Sequence, residues 1–164
     1  MNVEDVLFGR RIRQNHALEH ATITVLSGMV PNLSISARSS SRGFIIFGDV
    51  DLSVLRQALD EALHRLQAGE AELAIHPNCG TNLVIGVSLM ALGTMLGMAS
   101  SRTRTRIAST AASSIAGLMA ARPVGEFVQK HVTTLPDLEG VRVTDITRRK
   151  LLGFTVIDVR TVQE

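Results

Sequence analysis

Two histidines and a glutamate, His16, Glu19 and His20, fall within the stretch Asn15-His16-Ala17-Leu18-Glu19-His20-Ala21-Thr22. On a helix these positions stand at i, i+3 and i+4, so two imidazoles and one carboxylate share a face. Two histidines one turn apart can grip a zinc ion, and the glutamate between them can take a proton from a water activated there. The spacing makes His16 and His20 candidate zinc ligands and Glu19 the candidate general base. The plain alternative is a helix that carries two partly exposed histidines and an ion-pairing glutamate.

A catalytic zinc takes three protein ligands and keeps one position open. His76 is the first choice for the third, in His76-Pro77-Asn78-Cys79-Gly80-Thr81-Asn82, where Pro, Asn and Gly fix a tight turn. Cys79 in the same turn is the runner-up, with Glu70, Glu72 and His131 behind it. His64 falls beside Asp60, Glu61 and Ala68, opposite the apolar stripe of its helix, and reads as a surface residue.

The elements that must position these residues follow from periodicity and punctuation. Asn2, with Asp5 at the third helical position, can cap a first helix from about Val3 to Ser27, which Gly28 and Pro31 end. Arg10, Arg11 and Arg13 form a basic shoulder on it, a solvated face or a seat for an anionic headgroup or peptide carboxylate. Leu33–Ala37 alternates and Gly43–Val50 is apolar and β-rich, so the pair predicts a hairpin whose polar loop is Arg38–Arg42. Leu52, Leu55, Leu59, Leu63 and Leu66 then make one helical stripe that Gly69 closes. Glu72–His76 reads as a short third strand. Val141–Thr147 and Gly153–Val162 read as a C-terminal hairpin with Arg148-Arg149-Lys150 at its turn, able to extend the sheet begun by residues 33–50.

Thr81–Ser101 carries no charge over 21 residues, and Leu83–Ala99 within it is strongly apolar. About 20 helical residues cross a bilayer core of about 30 Å. Gly93-Thr94-Met95-Leu96-Gly97 supplies a G-x-x-x-G face for close helix approach or for a homo-oligomer. After Arg102, Arg104 and Arg106, Ile107–Ala121 is a second uncharged run, small-residue rich, which must borrow from Pro123–Val128 to span. Together the runs predict a transmembrane helical hairpin, the three arginines weakly placing its loop in the cytoplasm. A hairpin buried in a soluble protein or an oligomer core is the competing reading.

Composition narrows the function classes. With 164 residues a single domain can bury a core, and a net charge of +2 is too small to imply a polyanionic partner. Aromatics at 3%, with no Trp or Tyr, argue against base-stacking nucleic-acid modules and leave out the usual membrane aromatic belt. The single Cys79 excludes an internal disulfide. Met1–Arg13 is charged and lacks the apolar core of a cleavable signal peptide.

His-x-x-Glu-His followed by two strands and an amphipathic helix, over residues 10–70, resembles the start of a pitrilysin- or insulysin-type (inverzincin) zinc metalloprotease domain. That resemblance implies His16 and His20 as zinc ligands and Glu19 as general base. Beyond residue 70 the chain departs from it, turning into His76-Pro77-Asn78-Cys79 and the apolar runs instead of a helix with a glutamate ligand. The two motifs together, Asn-His-Ala-Leu-Glu-His-Ala-Thr and His-Pro-Asn-Cys-Gly-Thr-Asn, are similar to those of a family of small uncharacterised bacterial membrane proteins, which implies the bacterial inner membrane. The expected architecture is α+β: residues 1–79 an α/β domain with the motif, 80–128 the apolar helical hairpin, and 129–164 a β-hairpin completing the first domain. The expected function is a membrane-anchored zinc metalloprotease acting on a peptide or protein. The alternatives are a non-catalytic metal-binding or assembly subunit and a purely structural membrane protein.

Overall fold

The structure, a computed structural model, describes residues 9–99, 103–151 and 153–163. It is an α+β protein with four helices and one four-stranded antiparallel sheet among those residues. The elements are α1 (Arg10–Met29), β1 (Ser36–Ser40), β2 (Gly43–Phe47), α2 (Leu52–Gln67), a 3-10 turn (Ala71–Ala74), α3 (Gly80–Met98), α4 (Thr103–Val128), a π turn (Gln129–Thr133), β3 (Val141–Leu151) and β4 (Phe154–Gln163). The chain divides into two compact units, residues 1–76 with 130–164, and residues 77–129.

In the first unit the sheet order is β1-β2-β4-β3, so the C-terminal hairpin does extend the N-terminal one, through β4 pairing with β2. Strand alternation sends Phe44, Ile46, Ile157 and Val159 inward. There they meet Ala17, Leu18, Ala21 and Leu26 of α1 and Leu55, Ala58, Leu59 and Leu66 of α2 in one core. The α2 stripe is as the leucine spacing predicts. Asp51 caps that helix, its side chain accepting from the Ser53 and Val54 amides.

Four boundaries differ from expectation. The cap at Asn2 and Asp5 lies outside the described residues; the helix starts at Arg10, after Gly9 (φ 64°), instead of near Val3, and runs on to Met29. Arg38–Ser40, expected in the loop, are strand. The pairing of Ser40 with Gly43 leaves a two-residue turn, and Gly43 (φ 134°) sits where a Cβ would collide with the Val159 carbonyl. Glu72–His76 forms no strand; Ala71–Ala74 is a single 3-10 turn beside α1. Arg148-Arg149-Lys150 lie in β3, paired with Ile157, Val156 and Thr155, because the turn chemistry belongs to Gly153 (φ 86°).

The second unit is an antiparallel helical pair built on small residues. A Cβ on Gly93 would fall on the Ser113 carbonyl, one on Gly97 on the Thr110 backbone, and one on Gly117 on the Leu89 carbonyl. Ser113 donates to the Gly93 carbonyl at 2.5 Å, Ser109 to that of Gly97 at 2.7 Å, and the Thr94 and Ser114 hydroxyls meet at 2.8 Å. The G-x-x-x-G face of α3 is thus filled by α4 of the same chain. Leu83, Val87, Met95 and Leu96 of α3 and Ile115, Leu118 and Met119 of α4 are exposed. α3 is long and apolar enough, by length and composition, to cross a membrane. α4 starts at Thr103, taking in Arg104 and Arg106, and continues through Pro123, with Arg122 and Glu126 paired at 2.9 Å near its end.

Candidate metal centre

α1 carries His16, Glu19 and His20, and this helix is buried on most sides: Arg13, Gln14, Asn15, Glu19, His20 and Thr22 all lie inside. The polar residues are accommodated because neighbouring backbone supplies their partners. Arg13 donates to the carbonyls of His131 and Thr134 at 3.3 and 3.4 Å, and Gln14 to that of Asp137 at 2.7 Å. Asn15 donates to the Ser40 carbonyl at 2.8 Å and accepts from the Thr161 hydroxyl at 2.7 Å, tying α1 to the sheet. The basic shoulder is therefore divided. Arg13 is an internal strut, Arg10 pairs with Asp137 at 2.7 Å, and Arg11 is exposed.

The two imidazoles are held in the same way. His16 Nδ1 lies 2.9 Å from the Thr133 carbonyl oxygen, and His20 Nδ1 lies 2.7 Å from that of Ala74. A carbonyl oxygen can only accept, so each Nδ1 is the donor, and the neutral form of each ring has its lone pair on Nε2. This is the arrangement by which metal-binding histidines are oriented, the second nitrogen anchored to a carbonyl. The ring centroids of His16 and His20 are 4.3 Å apart, and the His76 centroid is 5.8 Å from that of His20. Glu19, 6% exposed, accepts a hydrogen bond from the Ser39 hydroxyl. One helical turn and the segment after the 3-10 turn thus bring His16, Glu19, His20 and His76 into one neighbourhood of the first unit.

The other sequence candidates have local partners or are exposed. Cys79 belongs to the second unit and caps α3, its Sγ accepting from the Thr81 amide at 3.4 Å. Glu70 is taken by Arg65, whose Nε donates at 2.9 Å, and the guanidinium holds the Glu70 carboxyl below its usual range. Glu72, His131 and His64 are exposed, the last as its helical position predicts.

Sequence reasoning missed three partners. Ser39 lies in phase with Ala37 on the strand face opposite Ser36 and Arg38, and that phase places it toward α1. Thr161 shares the inward phase of Ile157 and Val159, and a polar residue in an apolar phase signals a partner, here Asn15. Asn82, in the second motif, is a clasp at the base of the helical pair. It donates to the Pro77 carbonyl and accepts from the Gln129 amide, at 2.8 and 2.7 Å, where a side chain at 125 in place of Gly125 would collide with it.

The donor set, two rings with Nε2 lone pairs, a third histidine and a carboxylate on the same helical turn, fits a borderline-soft divalent cation such as zinc. Fold and site define an α+β protein with a histidine–glutamate helix and a helix able to cross a membrane. The chain belongs to the family described as a domain of unknown function (DUF6391), which matches residues 11–146 and so takes in both motifs. It is 34% identical over 134 residues to an uncharacterized protein of Picosynechococcus sp.; the match covers 75% of this chain and 65% of that protein's length. No solved structure matches.

Proposed function

We propose that the protein is a membrane-anchored, zinc-dependent hydrolase of peptides or proteins. His16, His20 and His76 hold the ion, with Cys79 the alternative third ligand, and Glu19 is the general base. The supporting observation is the pair of Nδ1–carbonyl hydrogen bonds, which fixes both α1 histidines in the tautomer a metal ligand needs. Zinc would supply Lewis acidity toward a carbonyl and activate water near neutral pH. Glu19 would take the proton as general base, and the Ser39 hydroxyl, which donates to its carboxylate, fixes the orientation of that group. α3 and α4 enter the bacterial inner membrane together as a hairpin, a reading supported by their apolar outward side chains and by the small-residue seam between them. Because α4 fills the Gly93/Gly97 face, self-association would use the outer faces instead.

One observation favours the non-catalytic alternative. His20 is 2% exposed and Glu19 6%, a degree of enclosure that suits a saturated, structural ion more than one open to substrate. Glu19→Gln separates the two readings, with zinc counted by elemental analysis and cleavage of a fluorogenic peptide library followed in nanodiscs. A hydrolase keeps its zinc and loses roughly 10²-fold or more in rate, the scale of general acid–base catalysis. Loss of zinc makes Glu19 a ligand or a ligand's support and favours the assembly role. Retained zinc with unchanged cleavage overturns Glu19 as base.

A further inference from the structure

The end of the sheet at the β3–β4 turn is built unlike the rest of the first unit. Register and alternation place Phe47, Arg149, Leu151, Phe154 and Val156 on the sheet face opposite the core, through the pairs Phe47–Val156, Arg149–Val156 and Leu151–Phe154. Phe154 is 72% exposed and Leu151 55%, and both line a groove of about 530 Å³ together with Ile35 and Phe47. Two of the five phenylalanines in the chain thus stand at one end of one sheet. Directly beside them run Arg148, Arg149 and Lys150, all exposed, with Arg148 and Lys150 on the other face of the same tip.

Exposed apolar side chains grouped in this way mark a docking surface, and the charge around them selects the partner. Three consecutive cations flank the apolar tip. Their counter-charges are Asp49, which pairs with Arg148, and Asp158, 3.8 Å from Arg149. Both pairs are solvent-exposed on the arginine side, and such pairs are weak enough for a denser field of anions to replace. An apolar wedge beneath a cationic collar fits a leaflet rich in anionic headgroups, where apolar side chains enter the acyl boundary and cations stay at headgroup level.

We propose that the β3–β4 tip docks onto an anionic lipid surface, Leu151 and Phe154 entering the interface and Arg149 and Lys150 engaging headgroups. The proposal rests on the membrane-anchoring reading of α3 and α4, which keeps the first unit near a bilayer through the chain junctions at residues 76–77 and 129–130. The tip would then be a second, reversible attachment that fixes the domain's orientation to the leaflet, as two linked weak sites do through effective concentration.

The chain has no tryptophan, so a single introduced indole reports its own surroundings. Full-length Phe154→Trp, with Leu151→Trp as a second reporter should the first disturb folding, is placed in nanodiscs of phosphatidylcholine alone or mixed with phosphatidylglycerol. Quenching by bromine-labelled acyl chains is then measured. Met95→Trp, on the outer face of α3, reports the anchoring separately. The expected result is quenching of Met95→Trp in both lipids. Quenching of Phe154→Trp should be several-fold stronger with phosphatidylglycerol and should fall to the neutral-lipid level when Arg149→Glu and Lys150→Glu are added. Quenching of Met95→Trp without that of either tip reporter overturns the tip proposal and leaves the anchor. Absence of both overturns the anchor and the proposal with it. Equal tip quenching in both lipids overturns the charge-based contact, and a tip indole already shielded but insensitive to bromine assigns the groove to a second copy or a peptide.

Discussion

His20→Ala separates what the proposed zinc would contribute from what the side chain itself contributes. The imidazole is 2% exposed, and its Nδ1 donates to the Ala74 carbonyl at 2.7 Å. Truncation leaves that carbonyl without its donor and leaves a void in a buried site, together costing about 2–4 kcal/mol with no metal present. An ion bound only by the folded state adds RT ln(1 + [L]/Kd), about 4 kcal/mol at a thousandfold excess over Kd, and this increment requires His20. For a chain of this size such an increment raises Tm by on the order of 10 °C. The assay is thermal unfolding followed by far-UV circular dichroism on detergent-solubilised protein, in chelator and in zinc, for wild type, His20→Ala and His64→Ala. Wild type and His64→Ala should show the full zinc shift, because His64 is exposed on α2. His20→Ala should start lower in chelator and gain nothing from zinc. A zinc shift in His20→Ala equal to that of wild type refutes the site, whatever the loss in chelator.

Gly93→Ala or Gly97→Ala should loosen the helical pair by roughly 1–3 kcal/mol or more, since the added Cβ lands on Ser113 or Thr110 backbone that cannot move aside. Titration of the purified protein with sodium dodecyl sulfate, read by helicity, checks this, and unchanged midpoints in both variants count against the seam. Acid stability has a local marker at the start of α2. The Ser53 hydroxyl and amide, with the Val54 amide, hold the Asp51 carboxyl below its usual range. A carboxyl whose folded value is depressed contributes stability above its unfolded value and loses it as pH falls through the folded one. Asp51→Ala should therefore flatten the acid limb of Tm against pH and leave the neutral-to-alkaline limb parallel to wild type, as a melt series across pH will show.

How much of this was readable in the sequence depends on which atoms do the holding. The α2 stripe and the small-residue seam are written in side chains, and both were legible. The His16–Glu19–His20 face was legible from spacing alone. Its anchors were not, because Thr133 and Ala74 contribute carbonyl oxygens and a backbone oxygen leaves no mark in the residue code. The same cause hid the burial of Arg13 and Gln14, whose partners are carbonyls more than a hundred residues away in sequence. Charge patterning assigns Arg13 to solvent because it counts only side-chain partners. The hairpin turns were misplaced for another reason. Polar residues at 38–42 and 148–150 suggest loops, but register is set by which strand pairs with which: β2 carries Arg38–Ser40 into the sheet, and β4 carries Arg148, Arg149 and Lys150.

The place of β4 also sets a timetable for biogenesis. β2 leaves the ribosome about a hundred residues before the strand that completes it, roughly 5–20 s at ordinary rates of synthesis. All of α3 and α4 is made within that interval. The helical pair therefore meets its environment while the nascent domain is still a two-stranded ribbon with β2 open along one edge and Ile46 without its partner Ile157. A ribbon of that width has little stability of its own. If the pair anchors the chain as proposed, its entry into the bilayer would begin before residues 154–163 close the sheet.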